Sequence, residues 1–247
     1  MALKPKFSII TITYNAASVI KPTLDSVIAQ TYTNYEYILV DGGSKDETVA
    51  IAKASGIQFA HIISERDNGI YDAMNKGMAL ATGDYLCFLN AGDAFHAPGT
   101  LQAVVDAIAG EKELPDVLYG ETAEVDDNRN FVRMRRLQAP KELNWHSFKA
   151  GMLVCHQAFY ARREIAPMYD LKYRLSADVD WCIKVMKRAK KMVNVNATVV
   201  DYLQNGISLQ YHRKSLMERF DIMSKHYGLL PTIARHVWFV VRAVIKR

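Results

Sequence analysis

Polar side chains follow three apolar runs of the sequence, close to the point where each run ends. The runs and the residues after them are 7–13 with Asn15, 35–40 with Asp41, and 85–89 with Asn90 and Asp93. If these runs are parallel strands, their carboxyl ends meet at one edge of a sheet, where open α/β folds bind ligands. The spacing therefore predicts a polar crevice built from these residues.

The segment Asn90-Ala91-Gly92-Asp93 is the most specific of these sites. A carboxylate at a strand end can hold a hard cation such as Mg²⁺ or Mn²⁺ against a diphosphate. Such a cation offsets the charge that develops on a departing nucleoside diphosphate. The alternative for Asp93 is a carboxylate that only closes a turn or caps a helix.

The segment Asp41-Gly42-Gly43-Ser44 combines a carboxylate with a loop whose backbone can approach a ligand closely. An Asp side chain in this place can accept a hydrogen bond from a nucleobase N–H or a ribose hydroxyl. The same residue types are also typical of a simple turn. The sequence leaves both interpretations open.

A further pair of acids, Asp178 and Asp180, lies in the first turn of a predicted helix. If Asp178 faces the crevice, it can act as a general base that takes the proton of a sugar hydroxyl during attack. Acids in a first turn are also favoured by the helix dipole alone. His156 stands in an apolar run, and a structural role and a ligand role are both open for it.

Apolar periodicity places these residues on alternating strands and helices. The predicted strands are 7–13, 35–40, 57–63, 85–89, 116–120, 131–134, 155–160 and 192–199, and the predicted helices include 70–80, 177–188 and 231–245. Two further helices are predicted to begin at Ser18 and, through a capping-box pattern of Ser44 and Glu47, near Lys45. Strands that alternate with helices indicate an α/β fold with a mostly parallel sheet and helices on both faces.

Composition favours one continuous domain of 247 residues with a basic tail. The three cysteines lack metal-ligand spacing, which fits a reducing, cytoplasmic compartment. We expect no signal sequence, and no apolar stretch approaches the ~18 residues of a membrane span. The net charge is +5, but 213–247 alone carries eight Lys/Arg and two Asp/Glu, so the rest sums to −1. This distribution argues against a nucleic-acid-binding core.

The last predicted helix, 231–245, separates apolar and basic residues onto opposite faces. Its apolar face carries Ile233, Val237, Val240, Val241 and Val244, and its basic face carries Arg235, Arg242 and Lys246. Such a helix is suited to lie on an anionic membrane surface. The alternative is a terminal helix that packs on its own domain.

Taken together, these motifs resemble those of inverting glycosyltransferases of family 2, which have the GT-A fold. The matching segments are 8–15, 26–32, 38–48, 64–77 and 81–85, and the second half matches more sparsely at 156–160, 176–178 and 206–208. The run Asp-Asn-Gly-Ile-Tyr-Asp-Ala-Met-Asn-Lys-Gly at 67–77 is similar to that of bacterial colanic-acid and O-antigen transferases.

The resemblance implies a role for each matching site residue. A nucleotide would be held by Thr11, Thr13, Asn15 and Asp41, and the sugar-donor pocket would be lined by Asp67, Tyr71, Asp72 and Asn75. Asn90 and Asp93 stand where the family keeps its Asp-x-Asp motif, with Asn90 replacing the first acid, so Asp93 would bind Mn²⁺ or Mg²⁺. Asp178 would be the catalytic base, and Asp180 is the second candidate.

The resemblance also implies an organisation and an activity. Residues 1–110 would form the half that binds the nucleotide-diphospho-sugar. Residues 111–212 would form a mixed α+β half with the acceptor site and the base. Residues 213–247 would form the helical tail. The enzyme would transfer the sugar, with inversion, to a hydroxyl of a lipid-linked saccharide. It would act at the inner face of the plasma membrane. Its product would belong to bacterial surface polysaccharide biosynthesis, such as that of lipopolysaccharide.

Two rival functions fit a nucleotide-binding α/β sheet. A nucleotidyltransferase would be expected to carry a Gly-rich loop with Lys or Arg after the first strand, whereas this chain has Tyr14-Asn15-Ala16-Ala17-Ser18 there. A non-catalytic sugar-nucleotide-binding protein would be indicated by loss of Asp93 or Asp178, and both acids are present.

Overall fold

The computed structural model of the chain describes residues 3–204 and 212–245, and side chains as far as Val237. Its strands are β1 (Phe7–Thr13), β2 (Tyr35–Asp41), β3 (His61–Ser64), β4 (Tyr85–Phe88), β5 (Ala94–Phe95), β6 (Val117–Val125), β7 (Phe131–Met134), β8 (Phe159–Arg162) and β9 (Met192–Leu203). Its α-helices are α1 (Ile20–Ile28), α2 (Thr48–Ala54), α3 (Ile70–Leu80), α4 (Thr100–Asp106), α5 (Ala177–Arg188), α6 (His212–Tyr227) and α7 (Leu229–Ile245). Short 3₁₀ turns cover Ser147–Ala150, His156–Ala158 and Arg163–Ile165.

All nine strands of the described residues belong to one sheet, in the order β3-β2-β1-β4-β8-β6-β9-β5, with β7 paired to β6. The first four strands are parallel to one another. β8 then runs antiparallel to both β4 and β6, and β6 is parallel to β9. The predicted mostly parallel sheet is therefore confirmed for the first half, and a mixed sheet continues it.

The centre of the sheet is apolar on both faces because helices cover it. Every residue of β1 and β4 is buried. α3 packs so closely on the sheet that a Cβ atom added to Gly77 would lie 2.5 Å from Ile10 Cγ2 and 3.4 Å from Val40 Cγ2. Gly77 therefore lets α3 lie directly against β1 and β2. This close packing places the start of α3 beside the crevice.

Four predicted strands differ from the structure by more than one residue at an end. Two are longer than predicted, since β6 continues to Val125 and β9 to Leu203. β3 begins only at His61, and Phe59 before it stacks on Tyr37 with ring centroids 4.9 Å apart. The predicted strand 155–160 begins instead with a 3₁₀ turn, in which the Ala158 N–H donates to the Cys155 carbonyl at 3.0 Å. That turn directs the His156 and Gln157 side chains into the protein, where both are buried.

The predicted helix caps were wrong in both cases. α1 begins at Ile20, and Ser18 makes no capping bond. The Ser44 hydroxyl bonds to Asp41 rather than to a helix N-terminus. α2 begins at Thr48, where the backbone N–H donates to Asp46 Oδ1 at 3.1 Å. The Ser44 and Glu47 pattern therefore marks a strand-end loop, because the nearby Asp41 competes for the serine hydroxyl.

The C-terminal helices α6 and α7 pack on each other beside α5. α7 leaves several apolar side chains in solvent, namely Leu229, Leu230, Ile233 and Val237. The predicted faces farther along this helix, and the family match at 206–208, lie outside the described side chains. No helix within the described ranges is long and apolar enough to cross a membrane.

Candidate active site

The strand ends meet at one edge of the sheet, as the sequence predicts. The Gly42 N–H donates to the Thr13 carbonyl at 2.9 Å, and the Ala91 N–H donates to the Ile12 carbonyl at 3.2 Å. The loops that follow β2 and β4 therefore flank the end of β1 from both sides. This edge is the place where open parallel sheets bind ligands.

Asp41 shapes the loop after β2. Its Oδ2 atom accepts hydrogen bonds from the Ser44 N–H at 2.9 Å and the Ser64 hydroxyl at 2.6 Å, while the Ser44 hydroxyl donates to Oδ1. The residue is fully buried. Its carboxylate is thus engaged by the protein itself and shapes this loop, and a direct bond from Asp41 to a nucleotide stays a prediction.

Asn15 joins the loop after β1 to the loop after β2. Its backbone adopts φ +47°, a left-handed conformation that Asn tolerates better than most residues. Its N–H donates to Ser44 Oγ at 2.7 Å, and its Oδ1 atom accepts from the Lys45 N–H at 2.9 Å. Asn15 therefore holds the two loops in register at the crevice.

The two predicted threonines of β1 differ in their availability to a ligand. Thr11 is fully buried, and its hydroxyl donates to the Leu89 carbonyl at 2.6 Å. The same hydroxyl lies 2.9 Å from the Tyr37 hydroxyl, so the protein engages it on both sides, and a role of Thr11 toward a nucleotide stays a prediction. Thr13 stands at the strand end, and its buried hydroxyl has no hydrogen-bond partner among the described residues.

Asp67 and Tyr14 converge on Gly42. A Cβ atom added to Gly42 would lie 2.5 Å from Asp67 Oδ2 and 3.4 Å from the Tyr14 ring. The Tyr14 side chain is 63% exposed at this edge, where its flat ring can stack on a nucleobase. Sequence reasoning missed Tyr14, although an aromatic residue directly after a strand was the available signal.

Two polar residues of α3 that were predicted to line the donor pocket bond to the protein. Asp72 Oδ2 accepts from the Asn68 N–H at 2.9 Å and so closes the start of the helix. Asn75 binds the backbone of Tyr169 twice, donating to its carbonyl at 3.1 Å and accepting from its N–H at 2.7 Å. Asn75 therefore anchors the segment before α5 rather than offering a free amide.

Asp93 links the end of β4 to the second half of the sheet. Gln157 Nε2 donates to its Oδ2 atom at 2.7 Å, and the Leu203 N–H donates to its Oδ1 atom at 3.1 Å. Burial raises the pKa of Asp93 to about 7, although these bonds and the nearby Arg129 act in the opposite direction. Gln157 was not predicted as a site residue. The signal that could have identified Gln157 is its position next to His156, in a segment that resembles the family.

The residues at this edge do not form a ready-made cation site. Both oxygens of Asp93 are engaged, and the Gly92 carbonyl accepts from Arg129 Nη1 at 2.6 Å. The Asn90 Oδ1 atom is buried with no partner in the described part of the chain, but it is neutral. Within 3–204 and 212–245 no three His, Cys, Asp or Glu side chains cluster as metal ligands would. The assignment of Asp93 to a cation stays a prediction.

The two acids of α5 point in different directions because they are two positions apart on a helix. Asp178 is half-buried, and its Oδ1 atom accepts from the Tyr71 hydroxyl at 3.0 Å. Asp180 is 1% exposed, lies 2.7 Å from His226 Nε2 and 2.6 Å from Lys184 Nζ, and so faces α6. Asp180 is therefore a structural acid, and Asp178 is the one that remains available to a substrate.

His156 belongs to an aromatic cluster beneath Asp178. Its Nε2 atom lies 2.6 Å from the Tyr169 hydroxyl, and its ring packs against Phe88 and Trp181. Burial lowers the pKa of His156 to about 4, against the opposing effect of Asp178, so the ring is neutral near pH 7. These contacts favour the structural interpretation of this histidine.

The site thus has two parts that the sheet brings together. Strand-end loops with a buried acid, an exposed aromatic ring and unpaired polar oxygens can hold a nucleotide. A half-buried carboxylate on α5 can take a proton from a second substrate. Such a site can support a displacement between a nucleotide-activated group and a hydroxyl.

Comparison with known proteins gives consistent results. A sequence model of the family described as Glycosyl transferase family 2 matches residues 8–166. A PGL/p-HBAD biosynthesis glycosyltransferase of Mycobacterium tuberculosis is 36% identical, covering 98% of this chain and 95% of that protein. The amylovoran biosynthesis glycosyltransferase AmsB of Erwinia amylovora is 28% identical, covering 79% of this chain and 69% of AmsB.

Solved structures show the same architecture. The crystal structure of S. aureus TarS 1-349 has a TM-score of 0.71 and 18% identity, covering 95% of this chain and 72% of that one. A structure of the same TarS fragment in complex with UDP-GlcNAc has a TM-score of 0.70 at 17% identity, covering 95% of this chain and 73% of that one. The predicted GT-A fold is confirmed by this likeness.

Proposed function

The chain belongs to glycosyltransferase family 2, and on that premise we propose that it transfers a sugar from a nucleotide-diphospho-sugar to a hydroxyl of a saccharide acceptor, with inversion. The observation that carries the proposal is the half-buried Asp178 beside a crevice of strand-end loops. The acceptor oxygen attacks the anomeric carbon while Asp178 takes its proton. The bond to the diphosphate breaks, and the nucleoside diphosphate leaves with the electron pair.

The sugar donor is assigned to the strand-end loops. Its base would stack on Tyr14 and meet the loop that Asp41 shapes, and Asp67 would border the same pocket. Thr13 and Asn90 carry buried oxygens without partners in the described chain, and these would face the ribose or diphosphate. That a TarS crystal structure contains UDP-GlcNAc, on the same fold, supports a nucleotide-sugar as the ligand class.

A panel of nucleotide-sugars tests the proposal directly. The full chain is incubated with each donor and a saccharide acceptor, and free nucleoside diphosphate and product are measured. We expect one donor to give acceptor-dependent release. Transfer of a nucleotidyl group with release of pyrophosphate would instead indicate the rival nucleotidyltransferase, and binding without turnover would indicate a non-catalytic protein.

A divalent cation, Mn²⁺ or Mg²⁺ at Asp93, remains a prediction, and no step above depends on it. We expect EDTA to lower turnover at least tenfold and either cation to restore it only at high concentration. The reason is that no three ligating side chains cluster within the described ranges, so the diphosphate must supply much of the coordination. Full activity after dialysis against EDTA would contradict this prediction.

The acceptor is proposed to be lipid-linked, with the enzyme at the inner face of a bacterial plasma membrane and acting in surface polysaccharide biosynthesis. The exposed apolar side chains of α7 support this placement. Beside them lies a groove of about 420 Å³ between α6, α7 and the Ser147–Ala150 turn, lined by Lys149, Met223, Tyr227, Pro231, Thr232, Ala234 and Arg235. It contains two cations and no acid, which suits an anionic lipid surface.

Vesicle binding tests this placement. The combined change Lys149→Glu and Arg235→Glu should lower the affinity for vesicles of anionic lipid at least tenfold, because each surface cation contributes about 1 kcal/mol near such a membrane. The matched control, Lys53→Glu with Lys112→Glu, makes the same change in net charge away from the groove. Equal losses in both variants would show that only net charge matters, and no loss would contradict the membrane role of the groove.

A further inference from the structure

Tyr71 bridges the two parts of the site. It lies in the first turn of α3, and its hydroxyl donates to Asp178 Oδ1, in the first turn of α5, at 3.0 Å. The residues are 107 positions apart in the chain. The Tyr71 side chain is 7% exposed, and its hydroxyl points to the acid. The contact of Tyr71 with Asp178 differs from the donor-pocket role that the family resemblance implies for Tyr71.

The Tyr71 ring has little freedom to move away from Asp178. It stacks on Tyr169 with centroids 5.5 Å apart, and Tyr169 stacks on Trp181 with centroids 5.1 Å apart. Asn75 fixes the Tyr169 backbone through two hydrogen bonds. The three stacked rings therefore hold the phenol in one orientation, and Trp181 belongs to the same helix as Asp178.

Tyr71 can donate to Asp178 but is not suited to take a proton itself. Burial, and then the charge of Asp178, raise the pKa of Tyr71 well above its usual value. The phenol therefore keeps its proton throughout the neutral range. It also occupies only one oxygen of Asp178, and no other hydrogen bond to this carboxylate is found within the described ranges. The second oxygen remains available to an acceptor hydroxyl.

We propose that Tyr71 is the positioning residue of the catalytic base: its hydroxyl holds Oδ1 of Asp178 so that the other oxygen faces the acceptor. This inference rests on the proposed function, since it concerns the base assigned there. Tyr71 does not enter the chemical step, and the acceptor proton goes to Asp178.

The change Tyr71→Phe removes the hydroxyl and keeps the ring in the stack. We expect kcat to fall about 10- to 100-fold, the range expected when a hydrogen bond to a charged group is lost, with KM for the sugar donor within about twofold. A loss of folded protein lowers the concentration of sites that bind nucleoside diphosphate. Loss of the positioning bond instead lowers kcat per binding site and leaves that concentration unchanged.

Two variants measured alongside separate the possible outcomes. Tyr169→Phe removes a hydroxyl from the same ring stack, but this hydroxyl bonds to His156 instead of Asp178, so kcat per binding site should fall less than in Tyr71→Phe. Asp178→Asn tests the base itself. If Asp178→Asn is inactive while Tyr71→Phe keeps the wild-type kcat, the positioning role is wrong and the base stands. If Asp178→Asn is fully active, the proposed base is wrong.

Discussion

Asp178→Asn should lower the rate of sugar transfer about 10²- to 10⁴-fold, the usual contribution of a general base. The amide can still accept the hydrogen bond of Tyr71, so the local structure is kept, but it cannot take the acceptor proton. Affinity for the nucleoside diphosphate should stay within about twofold, because the strand-end loops that bind it are unchanged. Product formation and calorimetric titration with nucleoside diphosphate measure the two effects.

The matched comparison for this variant is Asp180→Asn, two residues along the same helix. Asp180 faces α6, so this change should leave turnover per folded molecule close to wild type. A wild-type rate for Asp178→Asn would remove the base from the mechanism. A loss of turnover in Asp180→Asn without loss of folded protein would transfer the assignment to Asp180.

Asp180→Ala should instead destabilise the fold, by about 3–5 kcal/mol in the free energy of unfolding. The carboxylate is 1% exposed and lies within 2.7 Å of His226 Nε2, itself only 7% exposed, so the change leaves a buried polar group of α6 without its partner. Urea unfolding at pH 7 measures this loss. Lys184→Ala is the control, because removing a partly exposed cation should cost no more than about 1 kcal/mol.

The contacts of Asp180 with His226 and Lys184 also predict how the free energy of unfolding depends on pH. Burial pushes the pKa of Asp180 upward, but hydrogen bonds from His226 and Lys184 outweigh it, and the pKa is lowered in the folded protein. The resulting stability is present above the unfolded value of about 3.9 and is lost as the pH falls below it. The difference in the free energy of unfolding between wild type and Asp180→Ala should therefore shrink below about pH 4. A constant difference would show that packing, not charge, is responsible.

Local patterns predicted the fold of the first half well. The alternation of buried strands with amphipathic helices is set by residues near each other in the chain, and β1, β2, α3 and β4 lie within a residue of the predicted bounds. The errors have both distant and local causes. β6 and β9 outrun their predicted ends where they pair with each other, about 75 residues apart, whereas the Ser44 cap fails because Asp41, three residues before it, takes its hydroxyl.

The sequence indicated where the candidate site residues lie on the sheet but not which contacts they make. Strand periodicity places Asp41 and Asp93 at one sheet edge, but it contains no information on which oxygens the protein itself engages. The Gln157 bond to Asp93 and the Tyr71 bond to Asp178 span 64 and 107 residues. No single-sequence pattern of either segment specifies such a pair, because each depends on how the whole sheet is closed.

The order of strands in the sheet has a consequence for the synthesis of the chain. β4 sits in the middle of the sheet, with all four of its residues buried, yet its partner β8 begins only at Phe159. β5 likewise pairs with β9, near Val200. While the ribosome makes the intervening residues, the nascent first half presents β4 as an unpaired apolar edge, which favours aggregation. Until β8 has been made, that side of β4 therefore lacks its partner strand, and transient exposure of such edges is one reason why cells need chaperones.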